Sequence, residues 1–209
     1  MGTAFRTPST GRVDGLMPGE LWPFRPAPFA DELLTSWIAR LAHGHGLRPM
    51  SFLEIVHPGC ADLAVLDWAA DRDLLAPLAT QTDVPLPTVE SLLLRFQPEL
   101  GLRDLLHHNW RGPALQYCPA CLAEGATYYR RSWRLACFRV CPQHHTAMHD
   151  ECPHCGGIIR LLELPPGALA CCQNCGHPLM ASECRPPLSR SACLEKLIDI
   201  ERRMARLLV

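Results

Sequence analysis

The sequence lacks the features that define several common protein classes. No apolar run is long enough to span a membrane, and residues 1–30 contain no apolar core of the length found in signal peptides. The chain also has no GxxxxGKS or GxxxxGKT loop, no GxGxxG after a strand and no recognisable Ser-His-Asp arrangement. These absences argue against a membrane protein, a nucleotide-binding enzyme and a serine hydrolase, and no catalytic residue is expected.

Lysine is nearly absent as well. Of the 20 basic residues only Lys196 is a lysine, and the formal net charge is −1. The whole chain therefore has no overall attraction to nucleic acid, and any such binding must come from a local patch. Acidic residues outnumber arginines over residues 51–117, so the middle of the chain is acidic.

Cysteine, by contrast, is abundant, with 12 in 209 residues. Eight Cys and His residues form four close pairs, in the motifs CPAC, CPQH, CPHC and CQNC. Two residues separate the members of each pair, a spacing at which a tight turn points both side chains at one ion. Two consecutive pairs complete a tetrahedral site, so two zinc ions are predicted. The predicted ligands are Cys118, Cys121, Cys141 and His144 at site 1 and Cys152, Cys155, Cys172 and Cys175 at site 2.

Other chemistries fit these cysteines less well. Small disulfide-stapled domains are secreted, and a signal peptide is lacking. A redox CxxC is expected singly near a βαβ pattern. A deaminase needs HxE at a set distance before PCxxC; residues 149–151 form an HxE, but it does not precede a PCxxC at the required position. A site with four protein ligands, most of them thiolates, has no open position for water, so the zinc is expected to be structural. Its removal is expected to unfold this half of the chain.

Three neighbouring residues leave the choice of ligand open. His145 directly follows His144 and can substitute for it. Cys171 lies beside Cys172, although the two-residue spacing of CQNC favours Cys172. Cys137 is four residues before a predicted ligand, but it falls in an alternating apolar run, where a buried core cysteine is expected.

Apolar spacing predicts a helical N-terminal half. From Asp31 to the glycines Gly44 and Gly46, apolar residues recur at helical spacing, which predicts an amphipathic helix. The last two helices of this half, joined by QTDVPLP, resemble a helix-turn-helix. Further helices are predicted at residues 51–56, 63–69, 72–80 and 89–97, the last capped by Thr88.

The charge of this helix pair opposes DNA reading. A recognition helix needs basic and amide side chains for phosphates and base edges. The segment TVESLLLRFQ offers only Arg95 and Gln97 among leucines and Glu90. We therefore expect protein docking or a core role for the pair.

The overall fold is expected to be mainly α with small zinc-ribbon β-hairpins. An N-terminal helical, helix-turn-helix-like domain is followed by two tandem zinc ribbons and a C-terminal helix, predicted at residues 192–208. Prolines make the segment LWPFRPAPF extended. The predicted divisions are an extended tail at 1–28, the helical domain at 29–112, the zinc-ribbon region at 113–183 and the C-terminal helix at 184–209.

The order of these motifs resembles the TniQ family. PFRPAPFADELLTSWIARLAHGHGL, an acidic helical region, and then YCPACLAEGATYYRRSWRLACFRVCPQHHTAMHDECPHCGG and CCQNCGHPL look like TniQ, the target-selection component of transposons related to the TnsD group. The resemblance covers residues 20–180. It is strongest over the zinc region, where Tyr129, Arg130 and Trp133 accompany the ligands.

This resemblance implies a non-enzymatic adaptor in DNA transposition. TniQ proteins link a target-recognition complex to the AAA+ ATPase TnsC, which recruits the transposase. The chain ends soon after the zinc region, as do the small TniQ proteins of CRISPR-associated transposons. The implied partners are thus TnsC and an RNA-guided CRISPR effector complex with its guide RNA, with target DNA reached indirectly and no membrane involved. The implied location is the bacterial cytoplasm, at the nucleoid when active.

Five residues are candidate contacts with nucleic acid or a protein partner. Arg130, Arg131 and Arg134 are predicted on a hairpin between the first two ligand pairs, and Trp22 and Phe24 lie in the extended N-terminal stretch. The alternative function is a stand-alone zinc-ribbon or helix-turn-helix DNA-binding regulator. Such a regulator would bind duplex DNA tightly and salt-sensitively without a partner.

Overall fold

The computed structural model describes residues 20–59, 65–94, 106–109, 112–125, 127–184 and 186. Over these ranges the chain is mostly helical with few strands, as expected. None of the helices in the described ranges combines the length and apolarity needed to cross a bilayer. The predicted helix at 192–208 lies outside the described residues.

The N-terminal helices follow the apolar spacing of the sequence. The first, α1, spans Leu34–Gly44 and buries eight of its 11 residues. α2 spans Pro49–Val56, with proline in its first turn, where the missing N–H costs nothing. α1 lies within the predicted stretch, and α2 ends at the predicted residue but begins two residues earlier. α3 spans Leu66–Ala69, and α4 spans Arg72–Thr82, which Asp71 caps by accepting a hydrogen bond from Leu74 N at 3.0 Å.

The predicted helix at 89–97 is wrong, because the observed helix starts earlier and residues 91–94 are not helical. The observed helix, α5, spans Leu86–Glu90 and follows Pro85 as its N-cap residue. Thr88 is therefore not the cap, because it lies inside the helix, where its N–H bonds to Pro85 O at 2.8 Å. Beyond Glu90 the chain turns, and Leu94 N donates to Asp67 O at 2.7 Å. This long-range bond directs the backbone away from the helix axis.

The zinc region is built from short pieces. At its N-terminal boundary, β1 (His108–Asn109) pairs antiparallel with β2 (Gly112–Pro113). α6 spans Pro119–Ala123, and 3₁₀ turns follow at Arg131–Arg134, Leu161–Glu163 and Leu179–Ala181. The predicted hairpin carrying Arg130, Arg131 and Arg134 is wrong, because the backbone at residues 130 and 135 bridges to the distant residues Glu32 and Leu106. Such pairing leaves a 3₁₀ turn between the two bridges.

Buried apolar residues form two clusters. One fills the helical half, and Trp22 belongs to it with 1% of its surface exposed, packed edge-on against Phe52 at 4.9 Å between ring centroids. The other surrounds the cysteines and includes Tyr129 and Trp133. Leu162 of the zinc region packs against the helical cluster. The helical half and the zinc region are therefore in contact with each other. The division of the chain at residue 112 stays a prediction.

A hydrogen-bonded seam joins the two halves, formed by residues 29–36 and 128–134. Along its backbone Leu33 N donates to Tyr129 O at 2.9 Å and Arg131 N donates to Asp31 O at 2.8 Å. The Ser36 hydroxyl accepts from Tyr129 N at 2.9 Å. Together these bonds fix the zinc region against the start of α1.

Glu32 is fully buried at the centre of the seam. Its carboxylate accepts hydrogen bonds from Phe29 N at 3.1 Å and from Ser36 Oγ at 2.8 Å, and it pairs with Arg40 Nη1 at 2.6 Å. Burial raises the pKa of this carboxyl, and Arg40 and the hydrogen bonds oppose that rise. Three donors thus compensate a carboxylate that would otherwise be costly to bury.

We predict that Ser36→Ala lowers the free energy of unfolding by about 1–3 kcal/mol, because it leaves the buried N–H of Tyr129 unpaired and removes a donor from Glu32. Urea unfolding of the zinc-loaded protein measures this. Thr80→Ala is the matched control, since its hydroxyl bonds to Ala76 O on an exposed helix face. Equal destabilisation by the two variants would contradict a role for the seam.

Candidate metal centre

Three of the four predicted ligand pairs share one backbone turn. In each, the carbonyl oxygen of the first cysteine accepts a hydrogen bond from the backbone N–H of the residue four positions later, at 2.8 or 2.9 Å. That later residue has a left-handed backbone, with φ of 53° at His145, 66° at Gly156 and 72° at Gly176. Antiparallel bridges close each turn, at Val140↔Ala147, Glu151↔Ile158 and Cys171↔Pro178. We call these turns knuckles; each points two side chains the same way.

The pair CPAC is different, because it belongs to helix α6. Cys118 is the N-cap residue of this helix, and Leu122 N donates to Cys118 O at 3.1 Å. Pro119 takes the first helical position, as proline often does. One helical turn therefore brings Cys118 and Cys121 to the same side.

Site 1 gathers Cys118, Cys121, Cys141 and His144. Their ligand atoms all lie within 4.8 Å of one another. His144 Nδ1 lies 3.6, 3.2 and 3.5 Å from the Sγ atoms of Cys118, Cys121 and Cys141, and Cys121 Sγ lies 3.5 Å from Cys141 Sγ. Zinc bonds imply tetrahedral edges of about 3.8 Å between sulfurs and about 3.6 Å between sulfur and nitrogen. The four atoms fit one zinc ion.

Site 2 gathers Cys152, Cys155, Cys172 and Cys175, again within 4.8 Å of one another. The sulfurs of Cys152 and Cys175 are 3.7 Å apart, and those of Cys155 and Cys172 are 3.6 Å apart. These separations also match the tetrahedral edges. Site 2 differs from site 1 in exposure, because Cys155 and Cys175 are exposed whereas the three cysteines of site 1 are buried.

The thiols of site 1 influence one another electrostatically. Hydrogen bonds from Cys121 and Cys141 lower the pKa of Cys118. Hydrogen bonds to Cys118 and Cys141 raise the pKa of Cys121. A divalent cation at the centre would replace these protons, since zinc binds thiolates.

The residues that left the ligand choice open lie outside both clusters. His145 is exposed, and its left-handed backbone closes the knuckle. Cys171 is half-buried and its backbone forms the bridge to Pro178. Cys137 is half-buried and packs against the apolar cluster of the zinc region.

Sequence reasoning did not single out Glu124, which lies directly beside site 1. Its carboxylate Oε1 is 2.7 Å from His144 Nε2, and its Oε2 accepts a hydrogen bond from Gln143 Nε2 at 2.8 Å. The available signal was the position of Glu124 three residues after Cys121, where a helical turn keeps it near the ligands.

The three arginines predicted to contact a partner all have partners within the chain. Arg130 pairs with Asp31 at 2.6 Å. Arg131 is only 5% exposed and donates to the carbonyl oxygens of Ser91 and Ala30. Arg134 lies 3.4 Å from the buried Asp67 carboxylate. Their guanidinium groups are thus engaged in the seam and beside it.

The two aromatic candidates occupy different environments. Trp22 is buried in the helical core, whereas 43% of Phe24 is exposed. Phe24 lies against Gly44, where an added Cβ would meet its ring carbons. His45 Nε2 is 2.9 Å from Phe24 O. The segment is therefore anchored by Trp22 and presents Phe24 at the surface.

Comparison with known proteins gives one family. The family model described as TniQ matches residues 23–148, which is more than half of the chain. The match includes the helical half and all four ligands of site 1, and it ends before site 2. No curated protein matches the chain.

We predict two zinc ions per chain. Substitutions at adjacent positions should distinguish the ligands from residues that do not bind the metal. Cys172→Ser and His144→Ala should each reduce the zinc content by one ion or weaken its retention, because each removes an atom of a tetrahedral cluster. The controls Cys171→Ser and His145→Ala should retain both ions. Metal analysis of the purified variants measures this, and loss of zinc from a control would overturn the ligand assignment.

We also predict that site 2 loses its zinc before site 1. Two of the thiolates of site 2 are exposed to an incoming chelator, whereas those of site 1 are buried. Zinc release to a chromophoric chelator should proceed in two phases of one ion each. Cys172→Ser should abolish the faster phase only, and abolition of the slower phase would contradict this order.

Proposed function

Because this chain belongs to the TniQ family, we propose that it is a non-enzymatic adaptor that connects a target-recognition complex to the AAA+ ATPase TnsC during DNA transposition. Membership in the family associates the chain with transposition through protein partners. The finer proposal is that the target-recognition complex is an RNA-guided CRISPR effector. In that arrangement base pairing reads the target sequence, and the adaptor needs no base contacts of its own.

The observation that carries the adaptor role is the closed character of both metal clusters. Each offers four protein ligand atoms within 4.8 Å of one another. A catalytic zinc keeps one position for water or substrate, whereas a structural zinc uses all four positions. Both clusters therefore favour a scaffold whose function lies on its surfaces.

The surface of α4 and α5 supports protein docking over DNA reading. Exposed residues of this helix pair and its turns include Thr80, Asp83, Thr88 and Ser91. The described part of the pair contains one basic residue, Arg72, at the start of α4. Phosphate neutralisation by lysine and arginine supplies most of the affinity of DNA-binding proteins. A basic partner surface suits this helix pair better than a DNA duplex.

Phe24 is the aromatic candidate that is free to meet a partner. It follows Leu21, which is 50% exposed, on a proline-rich segment. Large aromatic side chains near the centre of an interface commonly dominate binding energy. We therefore assign Phe24 to partner contact, Trp22 to anchoring the segment in the helical core, and the three arginines to contacts within the chain.

The test is co-assembly with the AAA+ ATPase of the same transposon. The zinc-loaded chain should elute with the ATPase in the presence of ATP and DNA, and Phe24→Ala should weaken this association by about tenfold or more. Met180→Ala is the matched control, because Met180 is 42% exposed but lies in the zinc region. No association with the ATPase or an effector complex would rule out the adaptor.

The alternative, a stand-alone DNA-binding regulator, makes a different prediction for the same protein. It requires tight duplex binding without any partner, and the affinity must fall steeply between low and moderate salt. The single arginine of the described helix pair argues against that outcome.

A further inference from the structure

Glu124 lies where it can control how His144 meets the metal. The residue directly follows α6, the helix that carries Cys118 and Cys121, and its backbone N–H caps that helix by bonding to Ala120 O. Its carboxylate reaches across to the knuckle that carries His144. We propose that Glu124 is a positioning residue of site 1, which holds the His144 imidazole so that Nδ1 faces the three thiolates.

The chemistry follows from the two nitrogens of imidazole. A histidine that binds zinc through Nδ1 must be neutral, and its Nε2 then carries the proton. In site 1 Nδ1 lies 3.2–3.6 Å from the three sulfurs, and Nε2 lies 2.7 Å from Glu124 Oε1. A carboxylate that accepts this N–H fixes the tautomer and the ring orientation, and it makes Nδ1 a stronger electron donor.

The second carboxylate oxygen makes the contact directional. Gln143 Nε2 donates to Glu124 Oε2 at 2.8 Å, so two successive residues of the knuckle bind the two oxygens of one carboxylate. An isolated surface ion pair can rotate freely, but a carboxylate held at both oxygens has a preferred orientation. Glu124 therefore joins the helical pair of ligands to the knuckle pair independently of the metal.

This contact also explains the choice between two adjacent histidines. His144 is oriented by Glu124, whereas His145 is exposed and its backbone forms the left-handed turn. Neighbouring side chains of a turn point in different directions, so only one of the two can face the metal. Glu124 engages the one that does.

The competing explanation is an ordinary surface ion pair, because 55% of the Glu124 side chain is exposed. Such pairs contribute little to stability. The two explanations differ in what they predict for the metal. A surface pair leaves zinc affinity unchanged, whereas removal of an outer-shell partner of a ligating histidine typically costs 10–100-fold in metal affinity.

The experiment compares zinc affinity in the full chain and in its Glu124→Ala, Glu124→Gln and Glu163→Ala variants. Glu163 is the matched control, since its carboxylate pairs with Arg160 at 3.0 Å and its side chain is similarly exposed. We expect Glu124→Ala to weaken zinc binding at site 1 by about 10–100-fold and to leave site 2 unchanged. Glu124→Gln should lose less, because its amide oxygen can still accept the N–H. Glu163→Ala should match the unsubstituted protein.

Two readouts separate the sites. Cobalt substitution distinguishes a three-cysteine, one-histidine site from a four-cysteine site by its absorption bands, so chelator competition can be followed at each. The Nε2 proton of His144, observed by NMR in the zinc protein, should exchange faster with water in Glu124→Ala. Affinity at site 1 within about twofold of the unsubstituted protein in both Glu124 variants, or an equal loss at both sites, would overturn the proposal. It rests on zinc at site 1 and is independent of the transposition role.

Discussion

The buried carboxylate of Glu32 is the contact on which the arrangement of the two halves depends. It lies at the start of α1 and accepts from Phe29, Ser36 and Arg40, while Ser36 also receives the backbone N–H of Tyr129. A buried charge is tolerated only with such compensation, so each of these groups is constrained by the others. The start of the first helix and the path of the zinc region are therefore fixed by one network.

Both metal clusters contribute ligands to the apolar core of the zinc region. Five of the eight candidate ligands belong to the apolar cluster that also contains Tyr129 and Trp133. The zinc region has short elements and little regular secondary structure, so apolar burial alone gives it limited stability. Metal coordination supplies the missing constraint, and the seam joins this region to the start of α1. The ligands in the apolar cluster are Cys118, Cys121, Cys141, Cys152 and Cys172.

Local patterns predicted α1 and the two metal clusters, because helical spacing and CxxC turns are properties of a few consecutive residues. Long-range contacts decided the rest. The short α5 depends on a backbone bond from Leu94 to Asp67, and the 3₁₀ turn at Arg131–Arg134 depends on bridges to Glu32 and Leu106. From the sequence, Arg131 is predicted to be a surface residue that contacts a partner. Its carbonyl acceptors lie 40 and 101 residues away along the chain, so no local pattern could reveal its burial.

The two metal sites differ in how a partner could affect them. Site 1 lies within the core and within the part matched by the family model. Site 2 exposes Cys155 and Cys175, beside the stacked rings of His154 and His177, whose centroids are 5.3 Å apart. A partner that covers this edge would shield two thiolates from water and chelators and so slow zinc release there. Contact at Phe24 would leave that release unchanged, so zinc lability at site 2 reports which surface is occupied.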